Sequence, residues 1–318
     1  MHPTYSLTRL RPLALAIAVA VVLADSSVVI LALPAMLTEF NVEIPTVAWV
    51  LTSFNLVLAL CAVPVAYLAR RHPRFVLIAG AGIFAGASVV CAIAGGFTEL
   101  MVARCVQAVG GAGIVTAALD LMPATVDRDR DGVHLWAMAG AIGLAVGPAL
   151  GGALTQLLSW RAIFFAQVPV IAVIAVVRGV VVQCSTERAG RPRIAANVAL
   201  ALVSASLTAA LFLLVLLLIN GWGMRPLAAA ITVSVMPLAA VAAGKLPALG
   251  GGTFARAAAG AIATATGVAA LGLLPRAGVA WTLAPQILVG LGLGFTVCLL
   301  YTSPSSRDGL LYRMPSSA

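Results

Sequence analysis

The feature that most constrains this chain is a succession of long apolar stretches, each long enough to cross the hydrocarbon core of a bilayer. A membrane-spanning helix needs about 20 consecutive apolar residues. We count ten such stretches, separated by short loops that hold most of the charge. Their approximate bounds are 13–34, 46–69, 75–95, 98–122, 134–157, 162–183, 195–219, 226–244, 256–275 and 279–300. This pattern predicts a polytopic membrane protein.

The composition favours a lipid environment over a water-soluble fold. Of the 318 residues, 62% are hydrophobic and 9% are charged, and the mean hydropathy is +1.10. So few polar residues cannot cover a soluble globule of this size. The stretches are rich in Ala, Leu, Val and Gly and show no period-two alternation, which argues against an outer-membrane barrel. We therefore predict an all-α polytopic membrane protein with about ten transmembrane helices.

The positive charges follow the loops instead of forming one basic patch, so the net charge of +9 does not indicate a nucleic-acid partner. Of the 19 Lys and Arg residues, Arg104 falls inside the fourth stretch. With the N-terminus inside the cell, the outer side receives only Arg161, Arg225 and Arg276, which leaves fifteen for the cytoplasmic side. This bias predicts a multi-pass protein of the cell (inner) membrane with a cytoplasmic N-terminus.

The first stretch resembles a secretory signal only superficially. It follows Arg9 and Arg11 but continues past Asp25 to Pro34, which is long enough for an uncleaved spanning helix. The five cysteines are scattered, with no C-x-x-C pair and no nearby histidine. Neither a disulfide nor a metal site is predicted, and no cofactor is expected.

A charged segment at 184–194 separates six stretches from four. We expect it to be a cytoplasmic linker between an N-terminal six-helix bundle at 1–183 and an incomplete C-terminal bundle of four helices at 195–297. The final segment, 298–318, is polar, and no apolar stretch follows it. We expect that this tail is foreign and that the natural protein continues beyond Val297, the alternative being a short disordered tail.

The strongest motif lies in the fifth stretch, which reads G-x-x-x-G-P-x-x-G-G. Glycines four residues apart give a helix a smooth face that another helix can approach closely. A proline there lacks a backbone N–H and permits a kink. The G-x-x-x-G part alone is usual for ordinary helix packing, so the full pattern carries the signal. Its residues are Gly143, Gly147, Pro148, Gly151 and Gly152.

This pattern resembles the antiporter motif of the drug:proton antiporters of the major facilitator superfamily, and three further segments support the likeness. After the motif, the sequence reads W-R-x-I-F-F-x-Q-V-P, close to the W-R-W-I-F-x-I-N-V-P of those exporters. Residues 23–34 resemble their L-D-x-T-V-V-N-V-A-L-P signature, and Arg104 and Gln107 match R-x-x-Q-G, with Ala108 at the glycine position. The resemblance implies the major facilitator fold and proton-coupled efflux of small amphipathic or cationic compounds.

Asp25 is the leading candidate for proton coupling. A charged carboxylate near the bilayer centre costs a few kcal/mol or more, so it tends to be paired, hydrated or functional. The resemblance implies that Arg104 lies near Asp25 and that Gln107 supports the pair. Two alternatives stay open: Asp25 hydrogen-bonds the helix backbone or Ser26, or Arg104 extends toward the outer end near Glu99.

The loop after the second stretch departs from the family pattern G-x-L-A-D-R-x-G-R-R. Arg70 stands where relatives have the aspartate, and Arg71 and Arg74 occupy the following basic positions. That aspartate is thought to join a charge network that locks the outward-facing gate, so its loss puts normal gating in doubt. Asp120, near the inner end of the fourth stretch, would either replace it or be simply solvated.

The remaining expectations concern partners. The resemblance implies a small-molecule substrate, protons and the lipid bilayer, and we expect a monomer with Asn55 in the substrate cavity. No G-x-S-x-G or phosphate-binding loop is present, so an enzyme is not predicted. The alternative function is a non-transporting or degenerate relative with a regulatory role, favoured by the lost loop aspartate and the absence of two final helices.

Overall fold

A computed structural model describes residues 4–126, 129–169, 206–243, 253–274 and 278–302. All regular elements of these residues are helical, which confirms the predicted all-α class. A 3-10 turn lies at Pro123–Thr125, and the eighth helix ends in a π-helical turn at Leu217–Gly221. The helices are α1 (Thr4–Ile30), α2 (Leu33–Glu39), α3 (Ile44–Arg71), α4 (Pro73–Ile93), α5 (Phe97–Leu121), α6 (Asp129–Leu157), α7 (Arg161–Gln167), α8 (Ser206–Gly221), α9 (Pro226–Val233), α10 (Val235–Ala243), α11 (Thr253–Gly272) and α12 (Val279–Thr302).

Among the described residues, six segments are long and apolar enough to cross a membrane. The predicted sixth stretch is described only in part, through α7, and the predicted linker at 184–194 lies outside the described residues. The count of ten spans and the division into bundles therefore stay predictions. The six segments are Leu10–Ile30, Ile44–Arg71, Pro73–Ile93, Phe97–Leu121, His134–Leu157 and Pro226–Ala243.

Two predicted stretches contain a break. α1 ends at Ile30 and α2 begins at Leu33 with Pro34 in its first turn, so the predicted span 13–34 is wrong at its end. Proline suits the first turn of a helix, where its missing N–H has no partner to lose. The stretch 226–244 is likewise interrupted at Ser234, between α9 and α10. At the other end of the chain, α12 continues to Thr302, into the segment expected to be a tail.

Helix ends follow the local chemistry of the sequence. α3 and α4 also begin with a proline in the first turn, at Pro45 and Pro73. Arg70 and Arg71 lie in the last turn of α3, where positive charge is favourable at the negative end of the helix dipole. The α2–α3 connection therefore lies at the start of α3, and the α3–α4 connection lies at its basic end.

The described helices form two compact units. The first comprises α1 to α7 with residues 215–231, and in it α1 packs along α6 while α5 packs along both α3 and α4. The second comprises residues 206–214 and 232–302, and in it α12 packs against α10 and α11. Buried apolar side chains of α1, α3, α4 and α5 form a continuous core in the first unit.

Glycines let α4 and α5 approach backbone to backbone. A Cβ added to Gly80 would lie 2.9 Å from the carbonyl oxygen of Gly110, and one added to Gly110 would lie 2.8 Å from Cα of Phe84. Real Cβ atoms do not sit this close to backbone atoms. The two helices therefore need glycine at this crossing, as close-packed membrane helices commonly do.

We expect Gly110→Ala to destabilise the protein by about 1–3 kcal/mol, because the added methyl group must push two backbones apart. The matched control is Gly82→Ala on the open side of α4, where an added Cβ meets no heavy atom within 4 Å. There the better helix propensity of alanine predicts no loss. Thermal unfolding of both variants in detergent, followed by circular dichroism, checks this, and equal midpoints would contradict it.

Candidate functional site

A buried ion pair joins α1 to α5. Oδ2 of Asp25 lies 2.7 Å from Nη1 of Arg104, and both side chains are 0% exposed. The contact is ionic, since Oδ2 lacks a partner with hydrogen-bond geometry among the described residues. Either charge alone would be very costly at this depth of burial. Each therefore requires the other.

The guanidinium of Arg104 is held by α3 and by two aromatic rings. Its Nε donates to the backbone oxygen of Val50 at 3.2 Å. Its Cζ lies 4.2 Å from the centroid of the Phe54 ring and 5.7 Å from that of Phe164. A cation facing aromatic rings in a dry environment gains on the order of 1–2 kcal/mol. These contacts fix the guanidinium plane beside Asp25.

Two glutamines close the ion pair into a ring. Nη1 of Arg104 also donates to Oε1 of Gln107 at 2.7 Å. Nε2 of Gln107 donates to Oε1 of Gln167 at 2.7 Å, and Nε2 of Gln167 donates to Oδ1 of Asp25 at 2.8 Å. All four side chains are buried. We call these four residues the polar ring, which connects α1, α5 and α7.

Helix α4 adds two small side chains to the polar ring. Oγ of Ser88 accepts a hydrogen bond from Nε2 of Gln107 at 2.8 Å and donates to the backbone oxygen of Phe84 at 2.7 Å. Sγ of Cys91 lies 3.9 Å from Oε1 of Gln107. The first unit thus joins α1, α4, α5 and α7 through one buried network.

The structure brings together the three residues predicted for proton coupling, and their role stays a prediction. It also shows the contacts of Ser26 and Glu99, the alternative partners. Ser26 donates to Oδ1 of Asn55 at 2.9 Å, and Glu99 accepts from the backbone N–H of Gly95 at 2.9 Å. In these contacts Ser26 does not bond Asp25, and Glu99 does not pair with Arg104.

Sequence reasoning missed Gln167 and Ser88. Gln167 stands in W-R-x-I-F-F-x-Q-V-P at the position where the related run has asparagine, and this polar match was the available signal. Ser88 lies in an apolar stretch and matches no motif, so nothing in the sequence marked it.

Asn55 lies on α3, which contributes no side chain to the polar ring, and it is half-buried. Its Oδ1 accepts from Ser26 and its Nδ2 donates to the backbone oxygen of Leu51 at 3.0 Å. Both ends of the amide are therefore engaged within α1 and α3. A place for Asn55 in the substrate cavity stays a prediction.

The glycine motif presses α6 against α1. A Cβ on Gly143 or Gly151 would collide with the backbone oxygen of Ala20 or Val28, and one on Gly147 would collide with Oγ of Ser27. These positions flank Asp25 along α1. Gly152 faces the other way, where a Cβ would lie 2.8 Å from the backbone oxygen of Pro226. α6 passes through Pro148 as one continuous helix.

The predicted gating residues lie at the opposite end of α3 from the α2–α3 turn. The charge of Arg70 acts on the carboxylate of Asp120. Arg71 donates to the hydroxyl of Tyr67 at 3.1 Å and stacks over its ring, whereas Arg74 is exposed. A gating role for these residues stays a prediction.

A second polar cluster ties α2 to the start of α7. Nη1 of Arg161 donates to Oε1 of Glu39 at 2.6 Å, and the indole N–H of Trp160 donates to Oε2 of the same carboxylate. Arg161 also donates to the backbone oxygen of Ala94 at 3.1 Å. The hydrogen bond from Trp160, together with the hydrogen bond and charge of Arg161, holds the pKa of Glu39 below its usual value of 4.5, against the opposing effect of burial.

No described residues form a group of three His, Cys, Asp or Glu side chains that could hold a metal ion. The polar ring itself offers a carboxylate, a fixed positive charge and two amides. Such a group can exchange a proton and change its hydrogen bonds as it does so.

Comparisons with known proteins match the chain to transporters. The family model described as Major Facilitator Superfamily matches residues 15–309. A crystal structure of a bacterial homolog of the human lysosomal transporter Spinster, inward-facing and occupied, has a TM-score of 0.70 at 19% identity and covers 98% of this chain and 78% of that one. At this identity the likeness concerns the fold alone.

Two relatives are exporters by name. The tetracenomycin C resistance and export protein of Streptomyces glaucescens is 31% identical over 221 residues, which is 66% of this chain and 40% of that protein. The multidrug efflux pump LfrA of Mycolicibacterium smegmatis is 33% identical over 162 residues, which is 49% of this chain and 32% of that protein. The chain thus spans less than half the length of either relative.

We expect Arg104→Met to lower the free energy of unfolding by about 3–5 kcal/mol, because it leaves the Asp25 carboxylate buried without its partner. The double variant Asp25→Asn with Arg104→Met should recover part of this loss, since no charge then remains buried. Chemical unfolding of both variants in detergent checks the prediction. A double variant as unstable as the sum of both single ones would contradict it.

The lowered pKa of Glu39 predicts a pH-dependent contribution to stability. A carboxylate whose pKa is depressed by folding stabilises the protein above its unfolded pKa, and this contribution is lost as the pH falls through the folded pKa, here below 4.5. The thermal midpoint of the native protein should therefore fall more steeply below pH 4.5 than that of Glu39→Gln. Parallel pH curves for the two proteins would contradict this.

Proposed function

The chain belongs to the major facilitator superfamily, and we propose that it works as a secondary active transporter that exports small amphipathic or cationic compounds in exchange for protons. The superfamily consists of transporters and not of enzymes, and the chain is a multi-pass membrane protein. The names of the two exporters support efflux as the direction. The observation that carries proton coupling is the polar ring, in which a carboxylate 0% exposed is paired with an arginine.

In this proposal Asp25 carries the proton. When Asp25 is charged, Arg104 neutralises it and the polar ring is complete. When Asp25 takes up a proton, the attraction between the two side chains falls, because an ion pair becomes a contact between a cation and a neutral acid. The contacts between α1 and α5 then weaken, which gives proton uptake a structural effect. Alternating access in such transporters uses rearrangements of this kind.

The glycine motif supports the same mechanism by a different route. Backbone and side-chain atoms of α1 fill the space beside Gly143, Gly147 and Gly151, so α6 packs directly against α1 and a movement of α1 presses on it. A change at Asp25 is thereby passed to a second helix without a further polar contact. We propose that α1 and α6 move as a pair during transport.

The partners and orientation follow from the sequence. We propose protons and a small molecule as the transported species, a monomer as the working form, no nucleic-acid partner, and a cell membrane with the N-terminus in the cytoplasm. The distribution of Lys and Arg between the loops supports this orientation. Substrate cavities of this kind are mostly apolar, and their shape decides what binds.

The central test is efflux of a cationic dye from vesicles that contain the protein and carry a proton gradient. We expect dye efflux in the native protein and at least a tenfold loss in Asp25→Asn, because asparagine cannot carry a proton. The matched control is Glu43→Gln, which neutralises an exposed carboxylate at the start of α3 and should leave efflux unchanged.

The outcomes separate the candidate functions. Unchanged efflux in Asp25→Asn would make Asp25 structural and move proton coupling to another group. The absence of efflux for a series of cationic and amphipathic dyes in the native protein would favour the non-transporting alternative instead.

A further inference from the structure

Donor and acceptor chemistry fixes the direction of every hydrogen bond in the polar ring. A guanidinium carries only donors, so the atom of Gln107 that faces Arg104 must be its oxygen, Oε1. The other end of that amide, Nε2, then faces Gln167, whose facing atom must accept and is therefore Oε1. The nitrogen of Gln167 is consequently the atom left to face Asp25.

The carboxylate of Asp25 therefore meets a donor at each oxygen. Oδ1 faces the Nε2 amide group of Gln167, and Oδ2 faces Nη1 of Arg104. Oδ1 accepts a hydrogen bond and Oδ2 makes an ionic contact, and both interactions favour the ionised carboxylate, because a proton adds a donor and removes the charge. The polar ring as observed therefore suits the ionised form of Asp25.

A proton bound at Oδ1 would face the N–H of Gln167, so two hydrogen-bond donors would meet. Rotating the amides only moves this donor–donor contact to the next pair of atoms. If Gln167 turns its oxygen toward the new O–H, its nitrogen meets the nitrogen of Gln107. If Gln107 also turns, its nitrogen meets Nη1 of Arg104. Because Arg104 has no acceptor to offer, one donor faces another in each of these arrangements, and an unmet buried donor is costly.

We propose that Gln167 is a positioning residue that, together with Gln107, links the protonation of Asp25 to the release of Arg104. In this relay, proton uptake at Oδ1 turns both amides and ends by placing Nε2 of Gln107 against Nη1 of Arg104, which pushes the arginine out of the polar ring. The relay deepens the proposed function, because it requires that Asp25 is the group that carries the proton. No atom is exchanged other than the proton that Asp25 binds.

Among the described residues, the two glutamines give Asp25 a hydrogen-bonded route to Arg104 in addition to the ion pair itself. The charged or titratable groups near Asp25 are Arg104 of α5 and the thiol of Cys91 of α4. Elsewhere, α3 presents the ring of Phe54 to Arg104, α6 presents Gly147 to the neighbouring turn of α1, and α7 presents Gln167 itself. Within the described residues, Gln167 is the one side chain that hydrogen-bonds Asp25, and Arg104 is the one that forms an ion pair with it.

The test is the infrared carbonyl band of protonated Asp25, followed against pH in the protein reconstituted in lipid and assigned by its loss in Asp25→Asn. Gln167→Met removes the amide while keeping the side-chain length. We expect the midpoint of Asp25 protonation to rise by about one to two pH units, because the charged form loses a hydrogen-bond donor. The pH profile of dye efflux should shift in the same direction.

A relay makes a second prediction that a purely local contact does not. Gln107→Met should also raise the midpoint, although Gln107 does not touch Asp25. The double variant should shift it no further than the larger single shift, because either change interrupts the same relay. Gln286→Met is the matched control, since Gln286 is an equally buried glutamine in the second unit, hydrogen-bonded to Thr282, and its replacement should leave the midpoint unchanged.

The outcomes test the relay separately from the proposed function on which it rests. An Asp25 band whose midpoint is the same in native protein and Gln167→Met would overturn the relay and leave proton coupling intact. Additive shifts in the double variant would also overturn it. A native protein with no titrating Asp25 band would refute proton carriage itself. If Gln167→Met does not fold, Gln167→Asn replaces it, because the shorter amide cannot reach both Asp25 and Gln107 and the same rise is expected.

Discussion

The burial of a carboxylate together with a guanidinium is the constraint on which the first unit of this protein depends. Asp25 and Arg104 have no exposed surface, so the hydrogen bonds that they make are all with partners within the protein. Those partners come from different helices, namely a backbone oxygen of α3, a hydroxyl of α4 and an amide of α7. The pair therefore determines which helices lie together and how they are rotated.

Close helix contacts keep this polar group dry. α1 meets α6 along glycines, and α4 meets α5 in the same way near Gly110. The side chains of Asp25, Ser88 and Arg104 are buried between these helices, and the low polarity of their surroundings strengthens each charge interaction. Apolar packing and the ion pair thus depend on each other, because the packing excludes water and the pair gives the helices a fixed register.

The fold and part of the site could be predicted because they leave local marks in the sequence. The predicted span 46–69 lies within α3 (Ile44–Arg71), and the spacing of Arg104 and Gln107 places both on one face of α5. Charged residues inside apolar stretches are conspicuous, which identified Asp25. The contact between Asp25 and Gln167 joins positions 142 residues apart, and an uncharged amide carries no such mark. The break after Ile30 was missed because Pro34 was taken as the end of a span instead of the start of α2.

Helix α7 is only seven residues long, yet it begins beside Trp160 and Arg161 of one polar cluster and ends at Gln167 of the other. Each residue of a helix advances the chain by about 1.5 Å and turns it by about 100°. Adding or deleting one residue between Arg161 and Gln167 would therefore turn the glutamine away from Asp25, however conservative the composition. The length of this segment is therefore fixed by the two clusters that it joins.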